Sequence, residues 1–197
     1  MKNEKIKRMV GIAFLMAMVI VLQLISSSIP PIGGLVSISL VLIPIVMGGA
    51  VFGIGAGTIL GATFGVVVLI NCITGADPGG SMVFQANPAL CAAVVLSKGI
   101  LAGLLSASAY KLLSGKNAYL AMLCAAIICP VINTGVFVMC MLTFFKDVLS
   151  AWAGGGDLLA YILTGLVVAN FLPEMAINVV FSPAGQRIVH VVQKNDN

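Results

Sequence analysis

Glycine recurs at every fourth position of the apolar stretch 44–74, at Gly49, Gly53, Gly57, Gly61 and Gly65. Residues spaced by four lie on one face of an α-helix. A glycine face lets a second backbone approach closely, as membrane helices require when packing rather than water exclusion drives their association. The stretch is too long for one span of about 20 residues, and Gly53-Ile54-Gly55 offers a break. The pattern predicts two tightly packed membrane helices, at 35–53 and 55–73.

The composition extends this prediction to the whole chain. Its 197 residues are 60% hydrophobic and only 8% charged, whereas soluble domains carry about 25% charged residues. The apolar runs are continuous rather than alternating, which argues against a β-barrel. We therefore predict an all-α membrane protein that forms a single integral-membrane domain over residues 1–197. Its six transmembrane helices are expected at 9–25, 35–53, 55–73, 88–112, 119–145 and 158–181.

The distribution of cations predicts the orientation of this bundle. If the N-terminus is cytoplasmic, the inner segments hold eight of the ten Lys and Arg residues, Lys2, Lys5, Lys7, Arg8, Lys111, Lys116, Arg187 and Lys194. This is a positive-inside pattern, so both termini are expected on the cytoplasmic side of the membrane. The membrane is expected to be a bacterial plasma membrane. The net charge of +4 is then explained by insertion topology and lipid headgroups, and a nucleic-acid partner is not expected.

Two long polar segments, 74–87 and 146–157, fall on the outer face in this topology. Loops longer than about 12 residues usually carry function, so we interpret them as covering something bound from outside. The alternative is that outer loops simply tolerate insertions.

Few polar residues lie within the predicted spans, and a lysine there is costly unless it faces a cavity or a partner. The functional hypothesis is a polar pocket in the outer half, where Lys98 offers a cation to an anionic ligand group. The alternative is that Lys98 is neutralised by Glu174 or by helix carbonyls, although Glu174 is expected nearer the cytoplasm. Glu174 and Asn178 are expected to bond between helices. The candidate substrate-binding residues are Lys98, Asn133, Asn71, Gln85, Asn87, Trp152 and Asn170.

Several chemistries find no support in the sequence. There is no nucleotide-binding G-x-x-x-x-G-K-[ST] or zinc-binding H-E-x-x-H pattern, and the glycines do not open a βαβ unit. The single histidine, His190, lies in the tail, so no Ser/His/Asp set is predicted. The five cysteines form no C-x-x-C pair and are expected to be small buried residues. We expect neither an enzyme nor a bound metal or cofactor.

Several stretches together resemble a known family. They are the Ala13-x-x-x-Ala17 pair, the glycine-rich 44–65, FQANPAL with LSKGILAGLL at 84–105, NTGVFVMCMLTFF at 133–145, and NFLPEMAINVVFSPAG at 170–185. In this order they resemble an S component of an energy-coupling factor (ECF) transporter, over nearly the whole chain. Such a component captures a vitamin for an ATP-driven module.

The resemblance implies six helices with cytoplasmic termini, and a substrate bound in the outer half beneath the loops. It also implies that Ala13 and Ala17 dock on a transmembrane T component, which works with two ATPase subunits, and that the S component topples to release its cargo. The alternative role for the two alanines is internal packing.

The identity of the substrate is predicted less directly than the fold. Lys98 suits a carboxylate, and the outer loops carry few aromatic residues for a flavin or pterin ring. We therefore favour a small anionic vitamin such as pantothenate, with riboflavin, folate and thiamine as alternatives. A different class of function is a membrane scaffold that binds only protein. A self-sufficient secondary transporter would usually show an inverted repeat, and none is visible.

Overall fold

The computed structural model describes residues 2–28 and 40–195, and every regular element within these ranges is helical. The helices in chain order are α1 (Lys2–Ser28), α2 (Leu42–Phe52), α3 (Ile54–Thr74), α4 (Pro78–Ala86), α5 (Pro88–Ser114), α6 (Ala118–Phe144), α7 (Lys146–Trp152), α8 (Leu158–Tyr161) and α9 (Leu172–Asn195). A π-helical segment, Ile162–Phe171, joins α8 to α9 without a break. The prediction of an all-helical protein is confirmed for these residues.

Within the described ranges, five helices are long and apolar enough to cross a membrane, namely Glu4–Ser27, Ile54–Thr74, Pro88–Ser114, Ala118–Phe144 and Leu158–Val192. Large apolar side chains such as Leu112, Val180 and Met9 are exposed on the outside of the bundle, as expected for a surface that contacts lipid. The predicted helix at 35–53 is represented by α2, whose 11 residues extend only about 16 Å at 1.5 Å per residue. Positions 35–39 of that prediction lie outside the described residues. Six complete spans and cytoplasmic termini therefore stay predictions.

A single residue, Gly53, separates α2 from α3. Its backbone has φ +86°, a conformation that L residues other than glycine rarely adopt. Arg8 of α1 donates from Nη2 to the carbonyl oxygen of Phe52 at 2.7 Å. The guanidinium thus satisfies one of the carbonyls that are left free where α2 ends.

The glycines of α3 pack mainly against α5. The predicted close contact with α2 is also present, since a Cβ on Gly57 would lie 3.2 Å from Gly49 Cα. A Cβ on Gly57 would lie 2.7 Å from the carbonyl oxygen of Gly103, and one on Gly65 would lie 2.7 Å from that of Val95. A Cβ added to Gly61 or to Gly99 would lie closer still to the carbonyl oxygen of the other residue. The main partner is α5 because α5 carries its own Gly-x-x-x-Gly pair. We call Gly57, Gly61, Gly65, Gly99 and Gly103 the glycine seam.

Five helix termini lie together at one end of the bundle. They are the C-termini of α1, α3 and α6 and the N-termini of α5 and α8. The two segments predicted as long polar loops lie at this end and are partly helical, since they contain α4 and α7. Helix α4 packs against α3, α5 and α7. The two short helices therefore cover one end of the bundle.

Candidate ligand-binding site

A cavity lies beneath α4 and α7, enclosed by α1, α3, α5, α6 and the π-helical segment with the start of α9. The polar and charged residues that line it are Gln23, Ser27, Asp77, Lys98, Asn133, Thr134, Trp152, Asn170 and Glu174. Its apolar lining includes Phe64, Val68, Val94 and Phe137. Because most of these residues lie on long helices, the walls are positioned by the rigid part of the fold.

The cavity is narrow in this conformation. It offers about 70 Å³ for the centres of water-sized molecules, and one water needs roughly 10–15 Å³ on this measure. Several waters therefore fit. Helix α7 covers the cavity with seven residues, is followed by Gly154, Gly155 and Gly156, and buries Leu149 and Trp152.

Five of the lining residues have a deeply buried polar atom without a hydrogen-bond partner among the described residues. These atoms are Gln23 Oε1, Asn133 Oδ1, Thr134 Oγ1, Asn170 Oδ1 and Trp152 Nε1. The five side chains are between 4% and 8% exposed. A buried polar group left without a partner costs about 1–3 kcal/mol. Such a concentration around one cavity is the arrangement expected of a site whose polar groups are completed by a ligand or by water.

Lys98 supplies the cation of the cavity, and it lies against aromatic rings. Its Nζ is 4.9 Å from the centroid of the Phe137 ring and 5.7 Å from that of Phe64. Both distances fall within the range of about 6 Å for cation–π attraction. Trp152 of α7 stacks on Phe137 with ring centroids 6.3 Å apart and an interplanar angle of 26°. The Phe137 ring is therefore flanked by an ammonium group and an indole.

The glycine seam explains why Lys98 and Phe64 face each other. Lys98 directly precedes Gly99 on α5, and Phe64 directly precedes Gly65 on α3. The two backbones are in contact at these glycines, so the preceding side chains reach the same space at the end of the seam nearest the cavity.

Four of the seven predicted substrate-binding residues line the cavity: Lys98, Asn133, Trp152 and Asn170. The other three do not. Asn71 is buried beside it and donates to Ser27 Oγ at 2.6 Å, which ties α3 to α1. Asn87 Oδ1 accepts from the backbone N–H of Leu90 and thereby caps α5, and Gln85 is exposed. The predicted docking residues Ala13 and Ala17 are both exposed on α1.

The sequence prediction missed several lining residues. Glu174 was expected nearer the cytoplasm than Lys98, which argued mildly against a pair between them, yet both line this cavity. Asn178 does lie deeper, and its Nδ2 donates to the Glu174 carbonyl oxygen at 2.8 Å. Thr134 could have been identified from its position beside Asn133. Gln23 was visible as a polar residue within the first predicted span.

The aromatic residues differ most from the prediction. The main aromatic residues of the predicted outer loops are Phe84 and Trp152, whereas the rings that line the cavity are Phe64, Phe137 and Trp152. Phe64 and Phe137 lie within membrane helices, where phenylalanine is too common to indicate a site. The cavity therefore offers rings on which a ring-bearing substrate can stack.

Two cysteines also line the cavity. Cys72 and Cys91 lie on the facing helices α3 and α5, and both are buried free thiols. Among the described residues no group of three or more His, Cys, Asp or Glu side chains is arranged to hold a metal ion.

Comparison with known proteins gives one match. The model of a family described as the substrate-specific component of ECF transporters matches residues 7–184. No curated protein and no solved structure matches the chain at a significant level.

Proposed function

The chain belongs to the family of substrate-specific components of ECF transporters, and from that premise we propose that the cavity beneath α4 and α7 is its vitamin site. Members of this family are membrane proteins that bind a small molecule and work with a T component and ATPase subunits. The observation that carries the proposal is the set of five buried polar atoms without described partners around one cavity.

We propose a small anionic vitamin as the substrate, with pantothenate as the favoured example. Lys98 supports this choice because an ammonium group binds a carboxylate through a charge-assisted hydrogen bond. Riboflavin and folate stay as alternatives, since Phe64, Phe137 and Trp152 offer rings for stacking. Thiamine fits least well, because its cation would lie near Lys98.

We further propose that the exposed alanines Ala13 and Ala17 dock on the T component in the bacterial plasma membrane. Small residues four apart present a flat surface on which another helix can pack closely. In the proposed orientation the cavity end faces outward and the basic residues of the other end face the cytoplasm.

The direct test is a binding panel with the isolated protein. Pantothenate, riboflavin, folate and thiamine would be added to purified protein, and binding followed by calorimetry and by tryptophan fluorescence. Trp152 is the only tryptophan of the chain and lines the cavity, so its emission reports on the site directly. We expect submicromolar binding of one vitamin, and a panel without any binding would contradict the proposal.

A membrane scaffold that binds only protein is the alternative to test beside it. For a substrate-binding component, Lys98→Ala should abolish vitamin uptake while the complex with the T component still assembles, and Ala13→Trp should prevent assembly. A scaffold predicts instead that Lys98→Ala has no effect on any function. Co-purification with the T component and uptake by reconstituted vesicles distinguish the two.

A further inference from the structure

Two cysteines lie where the facing surfaces of α3 and α5 continue beyond the glycine seam. Cys72 follows Gly65 by seven residues on α3, and Cys91 precedes Val95 by four residues on α5. Spacings of four and seven residues keep side chains on one helical face, and Gly65 packs against the Val95 carbonyl. The two cysteines are therefore brought to the same side of this helix pair, and both line the cavity.

The side chains of Cys72 and Cys91 interact with each other through a hydrogen bond, and both are free thiols. Cys72 is 2% exposed, and Cys91 is completely buried. Cys129 on α6 is equally buried, but it is hydrogen-bonded to Ser106 instead. Two adjacent thiols can form a disulfide within the folded protein, whereas a buried thiol without a second thiol beside it cannot.

Helix α4 covers this pair of cysteines. An added Cβ on Gly80 would fall against Cys72 Sγ and lie 2.7 Å from Asp77 Oδ2, so the backbone of α4 packs directly on the sulfur atom. The two cysteines also flank the segment 73–90, which carries α4. A bond between them would close this segment into a loop and reduce the conformations that are open to it. The covering helix would then be held from both of its ends.

The oxidant that fits this cavity is a peroxide, because the space admits several waters and hydrogen peroxide consists of two linked oxygen atoms of that size. One thiolate attacks a peroxide oxygen, the O–O bond breaks, and the products are a sulfenic acid and, with the thiol's proton, one water. The second thiol attacks the sulfenic sulfur, the S–O bond breaks, and a second water leaves as the S–S bond forms. Two thiols are thus oxidised while one peroxide is reduced to two waters.

We propose that Cys72 and Cys91 form a peroxide-sensitive thiol pair whose disulfide locks α4 over the cavity. Formation of the disulfide is independent of the proposed function, whereas its effect on ligand entry rests on that function. The other charged groups of the lining, Lys98, Asp77 and Glu174, exchange no electrons in this step. Oxidation therefore changes the cover of the cavity and leaves its charges as they are.

The disulfide can be detected in the wild-type protein without any ligand. Purified protein in detergent would be treated with hydrogen peroxide, its remaining thiols alkylated after denaturation, and its peptides mapped by mass spectrometry without reduction. We expect a linked peptide pair that contains Cys72 and Cys91, is two hydrogens lighter than the separate thiol peptides, and is lost on reduction. Cys124, Cys129 and Cys140 should be recovered unlinked.

Single substitutions show whether the pair is specific. Cys72→Ser and Cys91→Ser should each abolish the linked peptide. Cys129→Ser, at a position that is equally buried, is the matched control and should leave the linked peptide unchanged. Absence of the Cys72–Cys91 peptide after treatment of folded wild-type protein, or its formation only after denaturation, would overturn the thiol pair.

The lock is measured as the rate of ligand entry. The emission of Trp152 would follow association of the vitamin found in the binding panel, before and after peroxide treatment. Association should slow about 10-fold in the wild type and recover on reduction, while peroxide should leave the rate of Cys91→Ser unchanged. An unchanged rate in wild-type protein that carries the disulfide would overturn the lock. A panel without any binding would contradict the proposed function and the lock together, while the peptide map decides the thiol pair by itself.

Discussion

Helices α3 and α5 form two very different contacts along their length. In the glycine seam their backbones touch and side chains are absent, so no polar group or space is left between them. Within the same turns, Phe64 and Lys98 precede the seam glycines Gly65 and Gly99 and line a cavity with unsatisfied polar atoms. The first contact stabilises the bundle, and the second costs stability that a ligand can restore. Because the glycine seam and the cavity are adjacent, the rigid seam fixes the positions of the residues that line the cavity.

The largest expected effect comes from adding one methyl group to the seam. Gly61→Ala places a Cβ against the carbonyl of Gly99, and because backbone cannot rotate away, the two helices must separate. We expect a loss of stability of about 3 kcal/mol or more, measured as the thermal unfolding midpoint in detergent by size-exclusion chromatography.

The matched control is Gly135→Ala on α6, where no described atom lies within 4 Å of an added Cβ. That variant should keep or slightly raise the midpoint, since alanine favours a helix by about 1 kcal/mol over glycine. Equal effects of the two substitutions would show that the seam is not a tight contact.

On the cavity side, the expected effects on stability and binding have opposite signs. Asn133→Leu removes a buried amide oxygen that has no described partner, so the unfolding midpoint should rise by an amount corresponding to about 1 kcal/mol. The same change should weaken binding of the vitamin found in the panel about 10-fold. Lower stability of Asn133→Leu would mean that the amide is satisfied within the protein and that the cavity is a packing defect.

A smaller loss of stability is expected from a change at the junction of α4 and α5, beside the cover of the cavity. Asn87→Ala removes the cap of α5 and should lower stability by about 1 kcal/mol while vitamin affinity changes little. Gln85→Ala, an exposed change two residues earlier, should affect neither quantity. If calorimetry instead showed a large loss of affinity in either variant, the end of α4 would have to contact the ligand directly.

The sequence predicted the parts of this protein that depend on local pattern. The helical class follows from long apolar runs, and the close-packed character of the third helix follows from its four-residue glycine spacing. Lys98, Asn133 and Asn170 could be identified because polar groups within apolar helices are costly wherever they lie. Trp152 was found as one of the few aromatic residues of the outer segments.

Contacts between distant parts of the chain could be known only from the tertiary structure. The sequence could not say that the glycines of α3 meet Gly99 and Gly103 on α5, since many small residues could serve as the partner. It could not separate Phe64 and Phe137 from the other phenylalanines, because apolar rings look alike until the helices are placed. Nor could it show that Asn71 and Asn87 satisfy Ser27 and the start of α5 rather than a ligand. Polarity within a membrane helix is a property of one segment, whereas the partner of a polar group is a property of the assembled bundle.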